Sequence, residues 1–284
     1  MNSLLQRIKA FVFGKESGYA FATITLIIAV IPEGFFKCLK QIKCLSFCKE
    51  WSDIALIIIG RVILCCGIFL VVKILFNIWY KNRTEVEIKG LNYKIVVEYG
   101  DITSITEGKR VIHFDECFTT IVGKAPGDIK SDSVCGQYLL KNPDINVPAL
   151  IEQAGITPLK GKSKYNNNTK YESGILVPNG DDLLMAFAKL DKNGRADMTY
   201  EEYLKTLDKL WGEIDRYHGT EDVYVPILGS LITHFDKDLT QQQLLDIMIS
   251  SYRLHDRKLK IPNRLHIVCK EREGFSLNNA FGVE

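Results

Sequence analysis

The chain has no Cys-X-X-Cys pair, although it contains eight cysteines. Cys38, Cys44 and Cys48 share one short segment, and the others lie in an apolar run or are scattered through the C-terminal part. Zinc sites and redox-active dithiols use closely spaced pairs, so neither is predicted. Without a disulfide framework, a reducing compartment is the simplest interpretation, and lipidation of the clustered thiols stays open.

The C-terminal part of the chain also lacks an excess of positive charge. Residues 1–83 carry eleven Lys and Arg against four Asp and Glu, whereas the remainder carries twenty-five against thirty. The net charge of +2 therefore combines a basic segment with an acidic domain. The basic segment suits an anionic membrane surface, and an acidic domain without a basic stripe argues against nucleic acid as a partner.

A long apolar run, residues 54–80, is interrupted only by Arg61, Lys73 and Asn77. A helix of that length spans about 40 Å, which exceeds the hydrocarbon core of about 30 Å. The two charges lie near the ends of the run, where their side chains can reach the headgroups. The run therefore predicts a transmembrane helix, and an ion path along the two charges is the alternative.

A second apolar stretch, residues 18–36, is shorter because Pro32 interrupts it. A signal peptide is the competing interpretation, but Pro32, Phe35 and Phe36 stand where a cleavage site needs small residues. We therefore expect two spans that form a transmembrane hairpin over residues 1–83. Both chain ends then face one side, and the Lys and Arg counts favour the cytoplasm, in a multi-pass protein of the bacterial inner membrane.

Residues 84–284 are long enough for one domain with its own core. Apolar patterns predict five strands, at residues 92–99, 109–114, 182–190, 221–228 and 264–269. Capping boxes at Thr199 with Glu202 and at Thr240 with Gln243 predict two helices. Their predicted buried stripes are Tyr203, Leu207, Leu210, Trp211 and Ile214, and Leu244, Ile247, Met248 and Tyr252. The alternation of strands and helices along the chain indicates an α/β domain with a largely parallel central sheet. Ligand sites in such domains lie at the carboxyl ends of the strands.

Two segments resemble motifs without meeting their requirements. Residues 191–202 have acids at the first and last positions of a calcium-binding loop, but Arg195 and Ala196 occupy positions that need an oxygen ligand and a glycine. Residues 155–163 resemble a phosphate-binding loop with one residue too many, and no predicted strand precedes them. Neither a metal site nor nucleotide hydrolysis is predicted from these segments.

A ligand site is predicted from two strand ends. One strand is followed by the turn Gly100, Asp101, Ile102 and Thr103. A later strand is followed by Gly229 and Ser230. Asp101 can bind a ligand, or it can cap backbone amides in a tight turn. Two such turns at the same edge of one parallel sheet favour a ligand site more than either turn alone.

These turns resemble those of the macro domain, which binds ADP-ribose and its derivatives, and the resemblance covers roughly residues 86–282. The pairing of two membrane spans with a divergent macro domain resembles the membrane effectors of type II Thoeris anti-phage defence. The resemblance implies that Asp101 accepts from the adenine amino group and that the Ile102 amide positions the adenine. It also implies that a loop wraps the diphosphate and the distal ribose, formed by Gly229, Ser230, Leu231, Ile232 and Thr233.

The sequence departs from the macro-domain pattern in two places, and both favour a ligand reader over a hydrolase. The Asn-Ala-Ala-Asn segment that positions water in ADP-ribosyl hydrolases is absent, and residues 111–123 take its place. Leu231 stands where many members have a second glycine. In the replacing segment His113, Asp115 and Cys117 alternate, which places them on one face of a strand. A buried core face, contact with an additional group on the ligand, and metal or nucleophilic chemistry all stay open for this trio.

The resemblance implies a ligand-gated membrane effector with no catalytic residues, no metal and no cofactor. Its signal would be histidine-ADP-ribose or a related conjugate, made by a TIR-domain protein and sensed by a cytoplasmic macro domain. Its target would be the lipid bilayer, which the hairpins of a homo-oligomer disrupt to cause abortive infection. A membrane-anchored ADP-ribosyl hydrolase and a passive ADP-ribose-binding module are the alternatives.

Overall fold

A computed structural model describes residues 53–230, 233–272 and 274–282. The chain divides into two compact units between Arg83 and Thr84. The predicted first span, residues 18–36, lies outside the described residues, so the two-helix hairpin is not confirmed.

The described part of the first unit contains one long helix, α1 (Asp53–Lys81). Its central stretch, Ile58–Phe76, has a mean hydropathy of 2.5, and none of that stretch is buried against other parts of the protein. Ile63 and Leu70 are among its exposed side chains. By length and composition α1 can cross a membrane, as the apolar run predicts.

The second unit is built on a nine-stranded sheet of the described residues. Its strands are β1 (Glu85–Lys89), β2 (Lys94–Tyr99), β3 (Lys109–Asp115), β4 (Leu176–Asn179), β5 (Asp182–Leu190), β6 (Ala196–Met198), β7 (Val223–Pro226), β8 (His234–Phe235) and β9 (Leu265–Cys269). The order across the sheet is β1-β2-β9-β7-β3-β5-β6-β8, and β4 also pairs with β5. The five central strands β2, β9, β7, β3 and β5 are parallel, which confirms a largely parallel sheet.

Four shorter helices cover the two faces of this sheet. They are α2 (Val134–Lys141), α3 (Val147–Gln153), α4 (Tyr200–Tyr217) and α5 (Gln241–Leu254). Buried side chains of α4 and α5 share one apolar cluster with the sheet, and those of α2 and α3 share another. The sheet therefore lies between two helical layers, and the predicted three-layer α/β architecture is confirmed.

Helices α4 and α5 begin where their capping boxes predict. The Thr199 hydroxyl accepts from the Glu202 amide, and the Glu202 carboxylate accepts from the Thr199 amide at 2.9 Å. Thr240 and Gln243 make the same reciprocal pair at α5. The predicted stripe of α4 is buried in full. In α5 the buried face is rotated, because Leu244, Leu245, Met248, Ile249 and Tyr252 are buried whereas Ile247 is only partly buried.

All five predicted strands are present, and their ends lie within two residues of the predicted ones. The strands β1, β4, β6 and β8 were not predicted. The strands β6 and β8 have three and two residues, which is too few for a period of two to stand out in a sequence.

Candidate functional site

A cavity of about 700 Å³ opens where the central strands end. The residues at or just after the strand ends that line it are Gly100 and Ile102 (β2), His113 and Asp115 (β3), Ala188 and Leu190 (β5), Ile227 and Gly229 (β7), and Val268 (β9). Its volume lies in the range of sites that bind small molecules, about 300 to 1,000 Å³. The cavity occupies the carboxyl edge of the sheet, where parallel α/β folds bind their ligands.

The turn after β2 contributes backbone and one apolar side chain to the cavity. Gly100 donates its N–H to the carbonyl of Cys269 at 3.0 Å, and Gly100 and Ile102 both line the cavity. The Asp101 carboxylate accepts from the backbone N–H and the hydroxyl of Thr103, both at 3.0 Å. Asp101 therefore caps a short 3₁₀ turn, and neither it nor Thr103 is among the residues that line the cavity. Their role toward a ligand stays a prediction.

The loop after β7 also lines the cavity, through Gly229, Ser230 and Thr233. Leu231 and Ile232 lie outside the described residues. Gly229 has φ +80°, and a Cβ at this position would lie 2.6 Å from the Phe235 ring. Glycine is required here because the backbone has a positive φ and because any side chain would clash with the Phe235 ring.

The end of β3 places three consecutive residues in the cavity wall, His113, Phe114 and Asp115. The pairing of β3 with β5 shifts between Phe114 and Asp115. His113 and Asp115 both line the cavity. The prediction that Cys117 shares their face is wrong, because β3 ends at Asp115 and Cys117 follows in a turn. Burial raises the pKa of the Cys117 thiol to about 11, which disfavours the nucleophilic thiolate.

Burial controls the protonation of the two β3 side chains. It lowers the pKa of His113 to about 4, so that the imidazole is neutral near pH 7. It also raises the pKa of the Asp115 carboxyl, although hydrogen bonds from Thr119 and Cys117 oppose this shift. The wall thus presents a neutral imidazole beside a poorly solvated carboxyl group.

A loop that the sequence did not point to forms another wall of the cavity, at residues 124–130. The Tyr165 hydroxyl donates to the carbonyl of Pro126. The backbones of Gly127 and Gly194 are in close contact, since a Cβ on Gly194 would lie 2.6 Å from the Gly127 nitrogen. A Pro-Gly turn was the available signal, but turns of this type are common in surface loops.

Basic side chains outnumber acidic ones around the cavity. Among the described residues, the basic side chains that line it are Lys124, Lys130, Arg195, Lys270 and Arg272. The acidic ones are Asp115 and Asp128, and Asp128 already accepts from the Ala125 amide at 2.8 Å. Arg195 belongs to the segment with calcium-loop spacing, where Asp191 instead accepts from the amides of Asn193 and Arg195. This charge balance suits a ligand that carries phosphate groups.

The model of the macro domain of Thoeris protein ThsA matches residues 95–270. The chain belongs to this family. Thoeris protein ThsA of Bacillus amyloliquefaciens (strain Y2) is 30% identical over 212 residues, which cover 69% of this chain and 66% of that protein. The chain thus aligns with just under two thirds of its relative. A macrodomain mutant from Oceanobacillus iheyensis is similar over 67% of this chain and 91% of its own, with 10% identity and a TM-score of 0.41.

The ThsA macro-domain match contains the strand ends that line the cavity. It begins within β2 and ends one residue after β9. Arg272 lies beyond the matched range, yet it lines the cavity and donates to the carbonyl of Ser230 at 2.9 Å. The C-terminal segment therefore completes the cavity of this Thoeris macro domain.

Proposed function

We propose that this Thoeris protein acts in anti-phage defence and that its macro domain binds an ADP-ribose-type signal in the cavity. The observation that carries the proposal is the convergence of two turns on one cavity. Gly100 and Ile102 line it from one turn, and Gly229 and Ser230 line it from the other. These are the turns that the macro-domain resemblance assigns to the adenine end and to the diphosphate.

The cavity offers suitable chemistry at each end of such a ligand. Ile102 and Val268 supply apolar surface next to Gly100, where an adenine can pack. Gly229 and Ser230 supply backbone groups without bulk, and the basic side chains of the rim favour the charge of a diphosphate. Histidine-ADP-ribose made by a TIR-domain protein is the proposed signal.

The proposed role is to read the signal without consuming it. The segment that positions water in macro-domain hydrolases is replaced here by residues 111–123. Hydrolysis is the second candidate, because a carboxyl group with a raised pKa in a cavity has the properties of a general base, and Asp115 is such a group.

The proposed consequence of binding is disruption of the inner membrane. Helix α1 can cross a bilayer, and a second predicted span precedes it in the sequence. A hairpin that opened membranes constitutively would kill its host. Ligand binding must therefore shift the transmembrane hairpins from an inactive state to a membrane-disrupting state. We propose that these hairpins belong to a homo-oligomer whose macro domains face the cytoplasm.

Dye-filled liposomes that contain the full chain test both parts of the proposal. Histidine-ADP-ribose should release the dye, whereas ADP should not. A chain that lacks residues 1–83 should bind the ligand and release nothing. Mass spectrometry of the recovered ligand should find it intact, and turnover at enzymatic rates would instead support the hydrolase.

A further inference from the structure

Exposed apolar side chains gather at the end of the macro unit, residues 84–284, that lies opposite the cavity. The exposed large apolar side chains at this end are Leu91, Leu254, Ile261 and Phe281. Leu91 precedes β2 and Ile261 precedes β9. Gly100 and Lys270, which follow the same two strands, line the cavity. Apolar side chains that are exposed together mark surfaces that bind a partner or a membrane.

Direct contacts hold these side chains on one surface. The loop between α5 and β9 meets the turn between β1 and β2, because the Ile261 N–H donates to the carbonyl of Asn92 at 3.3 Å. Arg253, which precedes Leu254 in the last turn of α5, lies over the Phe281 ring at 5.2 Å from its centroid. Residues 89–94, residues 253–264 and Phe281 therefore form one surface, which we call the amino-edge surface.

The loop between α5 and β9 is folded so that only part of its apolar content is buried. The Leu259 side chain belongs to the core, and its N–H donates to the Tyr252 hydroxyl at 2.8 Å. Lys258 lies over the Tyr93 ring at 5.4 Å from the centroid. These contacts fix the loop from inside, while Ile261 stays exposed. The exposure of Ile261 is thus a property of a packed loop and not of a loop without contacts.

Basic side chains surround the apolar ones on the amino-edge surface. Residues 253–264 contain one acidic residue and five basic ones: Arg253, Arg257, Lys258, Lys260 and Arg264. The macro unit as a whole is acidic, so this segment departs from the charge of its own domain. Asp222 neutralises Arg264 at 3.1 Å, but within the described part of the chain neither Arg257 nor Lys260 forms a salt bridge.

The combination of charge and apolar surface selects the class of partner. Protein interfaces are depleted in Lys, and a nucleic acid backbone offers nothing to exposed Leu and Ile side chains. An anionic lipid surface matches both components, because apolar side chains enter the boundary of the acyl chains while Lys and Arg stay among the headgroups. The turn between β1 and β2 adds one more positive charge, since Lys89 and Lys94 share Glu87.

We propose that the amino-edge surface binds an anionic lipid bilayer. Leu91 and Ile261 enter the boundary of the acyl chains, and Arg257 and Lys260 contact the headgroup phosphates. This inference goes beyond the proposed function, because it assigns a membrane contact to the macro unit itself, apart from α1. The surface and the cavity lie at opposite ends of β2 and β9, so a lipid-bound domain keeps its cavity accessible.

Co-sedimentation of residues 84–284 with lipid vesicles tests the surface without the membrane helix. These residues form a separate compact unit with their own core. The wild-type domain should bind vesicles of mixed phosphatidylcholine and phosphatidylglycerol at least about tenfold more tightly than vesicles of phosphatidylcholine alone. Each Lys or Arg near an anionic surface favours binding by about fivefold, and at least two such side chains are available.

Leu91→Asp and Lys260→Glu are the decisive variants, because both side chains are exposed and can be changed without loss of buried contacts. Each should weaken binding to the anionic vesicles by about fivefold or more. Leu159→Asp and Lys160→Glu are the matched controls, since they make the same changes in another exposed loop that also carries Lys. The controls should bind as the wild type does.

The possible results separate this surface from general charge attraction and from other partners. If the wild-type domain binds neither kind of vesicle, or both equally well, the inference is wrong. Equal losses in the variants and the controls would also overturn it, because attraction of the whole domain would then explain binding. Polyglutamate that binds the domain more tightly than anionic vesicles would assign the surface to an acidic protein. Each of these failures leaves the proposed function standing, because the cavity is not part of the surface.

Discussion

Tyr99 donates its backbone N–H to the carbonyl of Thr84 at 2.9 Å. Thr84 is the first residue of the macro unit, and α1 ends at Lys81. Tyr99 directly precedes Gly100, which lines the cavity. The first residue of the domain and the strand end that leads into the cavity wall are therefore joined by a backbone hydrogen bond.

Insertion of about ten Gly and Ser residues between Arg83 and Thr84 should uncouple the two units. A flexible tether transmits little orientation, so ligand affinity should persist while signal-dependent dye release weakens. The insertion point leaves β1 intact, since that strand starts at Glu85.

The same insertion after Asn167, an exposed loop residue, is the control and should leave dye release unchanged. If the insertion after Arg83 also leaves dye release unchanged, mechanical coupling through this connection is wrong. Clustering of macro domains would then be the better account of gating.

Asp101→Asn tests whether the Asp101 carboxylate, in the turn after β2, binds the adenine amino group. Asn retains an oxygen that can accept from Thr103, so the turn can persist. If the second carboxylate oxygen accepts from the adenine amino group, the wild-type domain should prefer ADP-ribose over inosine diphosphate ribose by about 1.5 to 3 kcal/mol. The variant should lose this preference.

Calorimetry with both nucleotides measures the preference. Thr103→Val is the control, because it removes a hydroxyl group that contacts Asp101 and leaves the carboxylate in place. An equal preference in wild type and Asp101→Asn would restrict Asp101 to its observed role as a cap of the turn.

Arg272→Gln should reduce the affinity for ADP-ribose by about tenfold or more, since a charged hydrogen bond to the carbonyl of Ser230 is lost. The dependence of affinity on salt concentration should weaken as well, because one cation of the rim is removed. Arg253→Gln is the control from outside the cavity, where Arg253 stacks on Phe281. Equal affinities for the two variants would contradict a role of the C-terminal segment in the site.

The sequence predicted the elements that depend on local signals. The capping boxes at Thr199 and Thr240 mark helix starts, and the turns at Gly100 and Gly229 follow two of the predicted apolar strands. Other parts of the site depend on tertiary contacts. The loop at residues 124–130 reaches the cavity because Tyr165 and Gly194 hold it there, and no local pattern encodes either contact.

Two further features could not be predicted from the sequence, because they also depend on tertiary contacts. The shift in pairing beside Phe114 arises between β3 and β5, two strands that are far apart in the sequence. Arg272 binds Ser230 across 42 positions of the chain. The turns in the sequence therefore indicated where the cavity lies, but the sequence did not predict the basic side chains that line it.

His113→Asn should make the domain less sensitive to acid. An unfolded histidine takes up a proton below pH 6.5, whereas the folded His113 does so only near pH 4. The unfolded state is thus favoured as pH falls through this window. Protonation of this one histidine lowers the free energy of unfolding by up to about 3 kcal/mol.

Urea unfolding at pH 7 and pH 4.5 measures the difference between variant and wild type. The exposed His234, changed to Asn, is the control. If wild type and His113→Asn lose the same unfolding free energy between the two pH values, the histidine is not held neutral by burial.

The central claim is that the cavity binds an ADP-ribose-type ligand, and one substitution tests it most directly. A Cβ at Gly100 would meet only a Val268 methyl at 3.4 Å, so Gly100→Phe can fill the cavity from its wall with little backbone strain. Gly161→Phe, in an exposed loop away from the cavity, is the control. Calorimetry should show one-to-one binding of histidine-ADP-ribose to the wild type and to Gly161→Phe, and none to a folded Gly100→Phe. Full affinity in Gly100→Phe, or no binding to the folded wild type, would contradict the claim.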